Sequence, residues 1–403
     1  MSVSERSVRI FLSRNLLARG SPGHRRLAGG VGRRDATSSL SRRRSPQAGY
    51  TQSVFGLRII EPVQPRHLSL TARTLYAELL DLAMIEAAQG GLARSPGSIV
   101  RKHIGNGVYV YFQYRSLEGR TRQLYLGPDN EATEARAQRL RELAAARAEQ
   151  HDSTQAIAAA FLAAGGFRTE HAPMRVLRAF SDAGVLRPGS ARPVLIGTHA
   201  FHALGNLLGV RWDSPMQTQD MDLAADADVD LAIPPDMPGI SSTLEQLEMG
   251  FLPVPALDPR APSTSFKVRG QSLRVDLLTP LVGPDRNQSV FVPALGGAAQ
   301  PLRFLDYLIE APVPALLLSH RDLVLANVPD PARFAWHKLL VSEERPIAQA
   351  AKRAKDRMQA AQLLAVLREE APAQLAKARA ELEARGRGWA QRLERALAQA
   401  QSV

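Results

Sequence analysis

No cysteine occurs among the 403 residues. That excludes disulfides, a cysteine nucleophile and any thiolate metal site. It fits a cytoplasmic protein. No apolar run approaches the roughly 18 residues of a membrane span, so no membrane partner is expected. A Walker loop, a GxSxG elbow and a dinucleotide GxGxxG are all missing, which removes three common routes to phosphate, acyl and hydride chemistry. Acids are scarce at the N-terminus. In the first 50 residues Glu5 and Asp35 stand against Arg6, Arg9, Arg14, Arg19, Arg25, Arg26, Arg33, Arg34, Arg42, Arg43 and Arg44.

Nine of the twelve net positive charges therefore sit in that segment, and the basicity belongs to a tail rather than to the folded body. The tail is rich in Arg, Ser and Gly and cannot bury enough apolar surface to offset ordering, so residues 1–56 are expected to be disordered. They resemble a transit peptide in composition and could attract nucleic acid electrostatically. The remaining length suits two or three domains, with an ordinary hydrophobic content of 45%.

Residues 57–150 read as a small module. A helix over 66–92 is indicated by Leu75, Leu79, Leu82 and Ile85 and ended by Gly90-Gly91. A three-stranded meander follows over 97–127. Its turns are marked by Asn106-Gly107 and Glu118-Gly119, and "VYVYFQY" alternates as a strand does. The meander carries Arg101, Lys102, Arg115, Arg120 and Arg122. It is either a small sheet with a solvated outer face or a surface that stacks on nucleic acid. A helix over 131–150 closes the module.

Residues 153–328 read as an α/β core with a mixed sheet. "RPVLIGTHAFHALGNLLGV" spells strand, tight turn and helix, with Gly209 as the stop. On that helix Ala200, Phe201, Leu204, Leu207 and Leu208 make an apolar stripe, with His199, His202 and Asn206 opposite. The two histidines lack a zinc-protease glutamate and a third ligand, so they are expected at the surface or a cleft rim. Residues 329–403 read as helices: one from Pro331 capped by Asp330, then 346–369 and 372–400.

Three pieces carry chemistry. Gly197-Thr198 joins a strand to a helix, where free backbone N–H groups and a close approach suit phosphate. Asp220 and Asp222 in "TQDMDLA" share one face of a strand. Asp276 in "LRVDLLT" is a lone acid on an apolar strand. Three converging carboxylates repel one another and call for a hard divalent cation, Mg²⁺ or Mn²⁺, shared with substrate phosphates. Asp228 and Asp230 in "DVDLAIP" repeat the Asp-x-Asp spacing. Asp220 and Asp222 are preferred because they lie closer to the turn.

"IGTHAF", "TQDMDLA" and "RVDLL", in that order, resemble the nucleotidyltransferase fold, the superfamily of DNA polymerase beta and the minimal nucleotidyltransferases. "DPARFAWHKLLVSEERPIAQAAKRAKDRMQA" resembles the helical region of bacterial abortive-infection-type and uncharacterised nucleotidyltransferase-like proteins. The likeness spans about residues 190–365. Thr198 stands where Ser or Gly is commoner. The gap from Gly197 to Asp220 is long, leaving a loop that contains Trp212. The resemblance implies an NTP substrate, with Asp220, Asp222 and Asp276 as catalytic metal ligands and Gly197 and Thr198 as triphosphate contacts.

Lys338 shares a face with Phe334 and Val341, so it either snorkels outward or meets an anion. Lys352, Lys355, Asp356 and Gln359 form one stripe, either solvated with a Lys352–Asp356 pair or facing phosphate. Lys338 and Lys355 are accordingly candidate nucleotide contacts. The acceptor is open among a protein, a small molecule and RNA. Two other readings stand beside the enzyme: the same fold binding nucleotide or a partner without catalysis, and a nucleic-acid-binding protein acting through the basic sheet.

Overall fold

The structure, a computed structural model, describes residues 65–401 except 90–96, 106, 116–120, 190–191, 214–218, 228–238, 257, 259 and 285–287. The basic tail, Gly90-Gly91, Asn106 of the first meander turn, the whole Glu118-Gly119 turn, and Asp228 and Asp230 lie outside the described residues.

The fold is α+β. Strand β1 (Arg66–His67) precedes helix α1 (Leu70–Gln89), the small sheet β2 (Gly97–Ile104), β3 (Gly107–Arg115) and β4 (Thr121–Pro128), and helix α2 (Glu131–Ala163). The three strands pair antiparallel in the order β2-β3-β4, as the alternating pattern predicts. Asn130 caps α2 by accepting from the Thr133 N–H at 2.9 Å. This helix continues well past residue 150, the end expected from the sequence, and crosses the expected boundary at 150–153. Between residues 151 and 163 no Gly or Pro interrupts the helix; the first breakers are Gly165 and Gly166.

The larger sheet is built from β5 (Val194–Ile196), β7 (Asp220–Ala224), β8 (Phe251–Pro253), β9 (Ser265–Val268), β10 (Arg274–Pro280), β11 (Val290–Val292), β12 (Gly297–Leu302), β13 (Val313–Leu318) and β14 (Leu323–Val328). Its order is β11-β12-β10-β7-β5-β14-β13, with β9 on β10 and β8 on β9. Parallel and antiparallel pairs mix: β7 runs parallel to β10, and β5 antiparallel to β7. β13 and β14 are almost wholly apolar and nearly all buried, as strands covered on both faces are.

Helices α3 (His171–Asp182), α4 (Gly197–Leu208), α5 (Ile240–Gln246) and α6 (Leu305–Ile309) flank this sheet. A two-residue strand, β6 (Val210–Arg211), pairs with β1. Helix α1 is tied to the same core: Tyr76 is buried and its hydroxyl oxygen accepts from the Leu316 N–H at 3.1 Å.

The C-terminal region packs α7 (Pro331–Glu344) against α8 (Ala350–Glu370), α9 (Pro372–Glu383) and α10 (Arg387–Gln401). Asp330 caps α7, accepting from the Ala332 and Arg333 N–H groups at 2.9 and 3.0 Å, and Pro331 opens the first turn. Trp336 is fully buried and donates its indole N–H to Leu375 O. The single helix expected over 372–400 is two. Gly386, with φ at +123°, breaks it in a conformation that side chains with a Cβ disfavour.

Candidate active site

The acids meet on the face of the larger sheet. β7 and β10 are parallel and in register, with Asp222 opposite Asp276 and Asp220 opposite Arg274. Residues opposite one another across a ladder project to the same face. Asp220, Asp222 and Asp276 therefore share one face, while Met221, Leu223, Val275 and Leu277 are buried on the other. On the far edge of β7, Ile196 of β5 stands opposite Asp222. The chain turns into α4 at the next residue, Gly197, whose φ is +70°. A methyl group on Gly197 would overlap Asp222 Oδ2. Glycine is required here by both the dihedral and the space. Thr198 follows on the first turn of α4 and is buried.

The carboxylates feel one another. Burial pushes Asp222 up to about 6, Asp276 and then Asp220 push the same way, and Lys338 and Lys355 oppose them. Lys355 is held below the usual lysine range, first by burial and then by Lys338, while Asp356, Asp220 and Asp222 pull it back up. The fold thus brings Gly197, Asp220, Asp222, Asp276, Lys338 and Lys355 into one electrostatic neighbourhood.

Among the described residues, no group of three or more His, Asp or Glu side chains is gathered to hold a metal ion. Asp276 is already engaged: its Oδ1 accepts from Arg274 Nε at 2.8 Å and from Ser265 Oγ. The donor chemistry nevertheless fits a hard cation. Mg²⁺ is commonly held by one or two carboxylates, with substrate phosphates and water completing its shell. Asp220 and Asp222 offer such a pair beside the glycine turn.

A family model described as Nucleotidyltransferase matches residues 171–384, more than half of the chain. The chain belongs to this nucleotidyltransferase family. The match begins with α3 and ends just after α9, so the transferase's whole carboxylate face, glycine turn and α7–α8 pair lie inside it. The three-stranded sheet lies outside it. No curated protein and no solved structure matches the chain.

One expectation about this transferase is corrected. His199 and His202 are not at the surface or a rim. Every residue of α4 from Thr198 to Leu208 is buried, because the helix lies across the sheet and is covered on its other side. His202 stacks on Phe167 at 3.7 Å between ring centroids. Asn206 exchanges two hydrogen bonds with the Phe167 backbone. Burial pushes His199 down to about 4 and His202 down to about 3, so both are neutral at pH 7. Trp212 covers α4 from outside, stacking on Phe201 at 4.5 Å and donating to Phe201 O at 2.8 Å.

On α8, one of the two readings of the Lys352–Gln359 stripe falls away. Asp356 does not pair with Lys352. It is buried, with its side chain 3% exposed, and takes Lys338 Nζ of α7 on Oδ1 at 2.7 Å and Arg345 Nε on Oδ2 at 2.5 Å. The interhelical pair replaces the local one because α8 packs this face on α7, whereas Lys352 stays exposed. The anion that Lys338 meets is thus Asp356, with Asp222 nearby. Gln359, one turn on, is fully buried.

Sequence reading missed Arg274, Ser265 and Arg345. Arg274 carried a signal, since it lies two residues before Asp276 on the same strand and so on the same face. Ser265 and Arg345 carried none, since each reaches its partner through tertiary packing.

The turn gives a direct test. Gly197→Ala is expected to cost about 1–3 kcal/mol from the left-handed backbone alone. It should also push Asp222 out of place, so nucleotide binding should fall together with the urea midpoint. A variant that binds nucleotide normally would show that the turn tolerates a side chain.

Proposed function

We propose that the protein moves a nucleoside monophosphate from a nucleoside triphosphate to an acceptor hydroxyl, using Mg²⁺ or Mn²⁺. The observation that carries this reading is the three-strand alignment of Ile196-Gly197, Asp222 and Asp276. It sets the glycine turn at a helix N-terminus directly beside paired carboxylates. Gly197 and Thr198 would present the backbone N–H groups of a helix N-terminus to the triphosphate. Lys338 and Lys355 would offset its charge from the helical side. Asp220 and Asp222 would hold the cation, and Asp276, oriented by Arg274 and Ser265, would complete the acidic face. The cation, when bound, supplies charge neutralisation for an in-line displacement at the α-phosphorus, in which the acceptor oxygen bonds and pyrophosphate leaves. What the chain's own residues contribute is position and fixed charge.

One observation favours a second reading. Arg274 already neutralises Asp276, an arrangement that also suits a protein that binds nucleotide without turning it over.

One experiment separates the two. The purified full chain is incubated with each labelled NTP, Mg²⁺ or Mn²⁺, and candidate protein, small-molecule and RNA acceptors. Pyrophosphate release that disappears in a folded Asp220→Ala variant supports transfer. Saturable NTP binding with no pyrophosphate supports the binding reading. Absence of nucleotide binding refutes both.

A further inference from the structure

The small sheet shows its two faces very different surroundings. Its inner face packs on the first turns of α2: Val110 is fully buried, as are Thr133 and Ala137. Arg101 reaches Glu134 at 2.5 Å and Asp129 at 3.6 Å, so its charge is spent on that side. The ladder places Lys102 opposite Tyr109, and Tyr111 opposite Tyr125, on the outer face. Tyr125 is 52% exposed, as is Ile104 on the same face. The three tyrosines form a continuous cluster, with ring centroids of Tyr111 and Tyr109 at 5.4 and 6.2 Å from that of Tyr125. Lys102 is exposed, and its ammonium lies 5.4 Å from the Tyr111 ring.

We infer that this outer face binds single-stranded nucleic acid, by stacking bases on the tyrosine cluster with Lys102 at the phosphates. Three observations favour that occupant. Besides Arg101, which is paired on the inner face, residues 97–128 carry four cationic side chains against one acid, the complement of a polyanion. Tyrosine faces need unstacked bases, which a duplex hides and a single strand offers. Reading base edges in a duplex needs free forked amides or guanidinium groups. The amides available here, Gln113 and Gln123, bond each other at 2.7 Å. As far as the described side chains go, the surface is therefore a stacking platform with little sequence preference. It lies outside the segment matched by the nucleotidyltransferase model, and the inference does not rest on the proposed transfer activity.

The test uses the full chain and fluorescein-labelled oligo(U), oligo(dT) and a mixed-sequence duplex, each about 15 nucleotides long, a length within the usual single-strand site size. Fluorescence anisotropy over a salt series is the readout. Either single strand should bind more tightly than the duplex, and comparing the two strands identifies the preferred sugar. Tyr125→Leu and Tyr111→Leu keep apolar bulk but remove the ring, and each should weaken single-strand binding by about five-fold to a hundred-fold. Lys102→Gln should flatten the slope of log affinity against log salt by about 0.7. Equal or tighter duplex binding overturns the inference, as does an absence of binding to either strand. Affinity unchanged in both tyrosine variants does the same, since it would assign the binding to the arginine-rich tail. Should a tyrosine variant unfold the sheet, the exposed Lys102→Gln decides: an unaltered slope sinks the proposal.

Discussion

Asp222→Asn is expected to abolish function and stabilise the fold at once. Ionised Asp222 is penalised by burial and by Asp276 and Asp220, which together raise it from 3.8 to about 6. A displacement of that size corresponds to about 2–3 kcal/mol against the charged form. The penalty is fully present above pH 6, shrinks as pH falls from 6 towards 4, and is gone below 4, where the group is protonated in both folded and unfolded chains. Asparagine keeps the shape and removes the charge. In metal-free protein the variant should therefore be more stable than the parent by about 2–3 kcal/mol at pH 7, with the gap closing towards pH 4. Urea denaturation at several pH values measures this directly. Added Mn²⁺ should raise the melting temperature of the parent and leave that of the variant unmoved. Pyrophosphate release should fall by about a thousandfold, the equivalent of the several kcal/mol that cation binding contributes to such chemistry. An asparagine variant no more stable than the parent would mean that Asp222 is not strained by its neighbours.

Asp356→Ala should do the opposite to stability. Burial pushes this carboxyl upward, but Lys338 and Arg345 together outweigh burial and hold it below the ordinary carboxylate range. Deleting the acid leaves two cations facing each other, with the Lys338 side chain only 14% exposed. Breaking a buried pair in this way costs about 3–5 kcal/mol. The sign with pH follows from the lowered value. The stabilisation is complete above the ordinary carboxylate range and is lost as pH falls through the depressed one. The parent should lose stability steeply in strong acid, and Asp356→Asn should show a flatter acid limb. Chemical denaturation at pH 7 and across the acid range tests both statements. A loss of under about 1 kcal/mol in the alanine variant would place Asp356 in the class of exposed ion pairs.

The two carboxylates differ in how much of their role could be seen beforehand. Asp222 was legible because strand alternation is local: "DMDLA" must put its acids on one side and Met221 and Leu223 on the other. The glycine turn was legible for the same reason, and Asp330-Pro331 announced a helix start. Asp356 stayed open between a Lys352 pair and a phosphate-facing role because an i, i+4 rule sees only its own helix, whereas burial against α7 supplied Lys338 and Arg345. His199 and His202 were misplaced because the stripe on α4 measures one face, and the helix is covered on both. The helix break at Gly386 was overlooked within an alanine-rich stretch that favours helix on either side.

By itself the sequence determined that the segments around Asp220–Ala224 and Arg274–Pro280 are acid-bearing strands, that Gly197 joins a strand to a helix and that Asp330-Pro331 opens another helix, since side-chain periodicity and glycine chemistry act over a few residues. The strand order decided that Asp276 stands opposite Asp222 rather than on another strand or face. Packing of α8 on α7 decided that Lys338 is clamped before any ligand arrives. Those outcomes depend on burial and on partners tens of residues away, which no local pattern encodes.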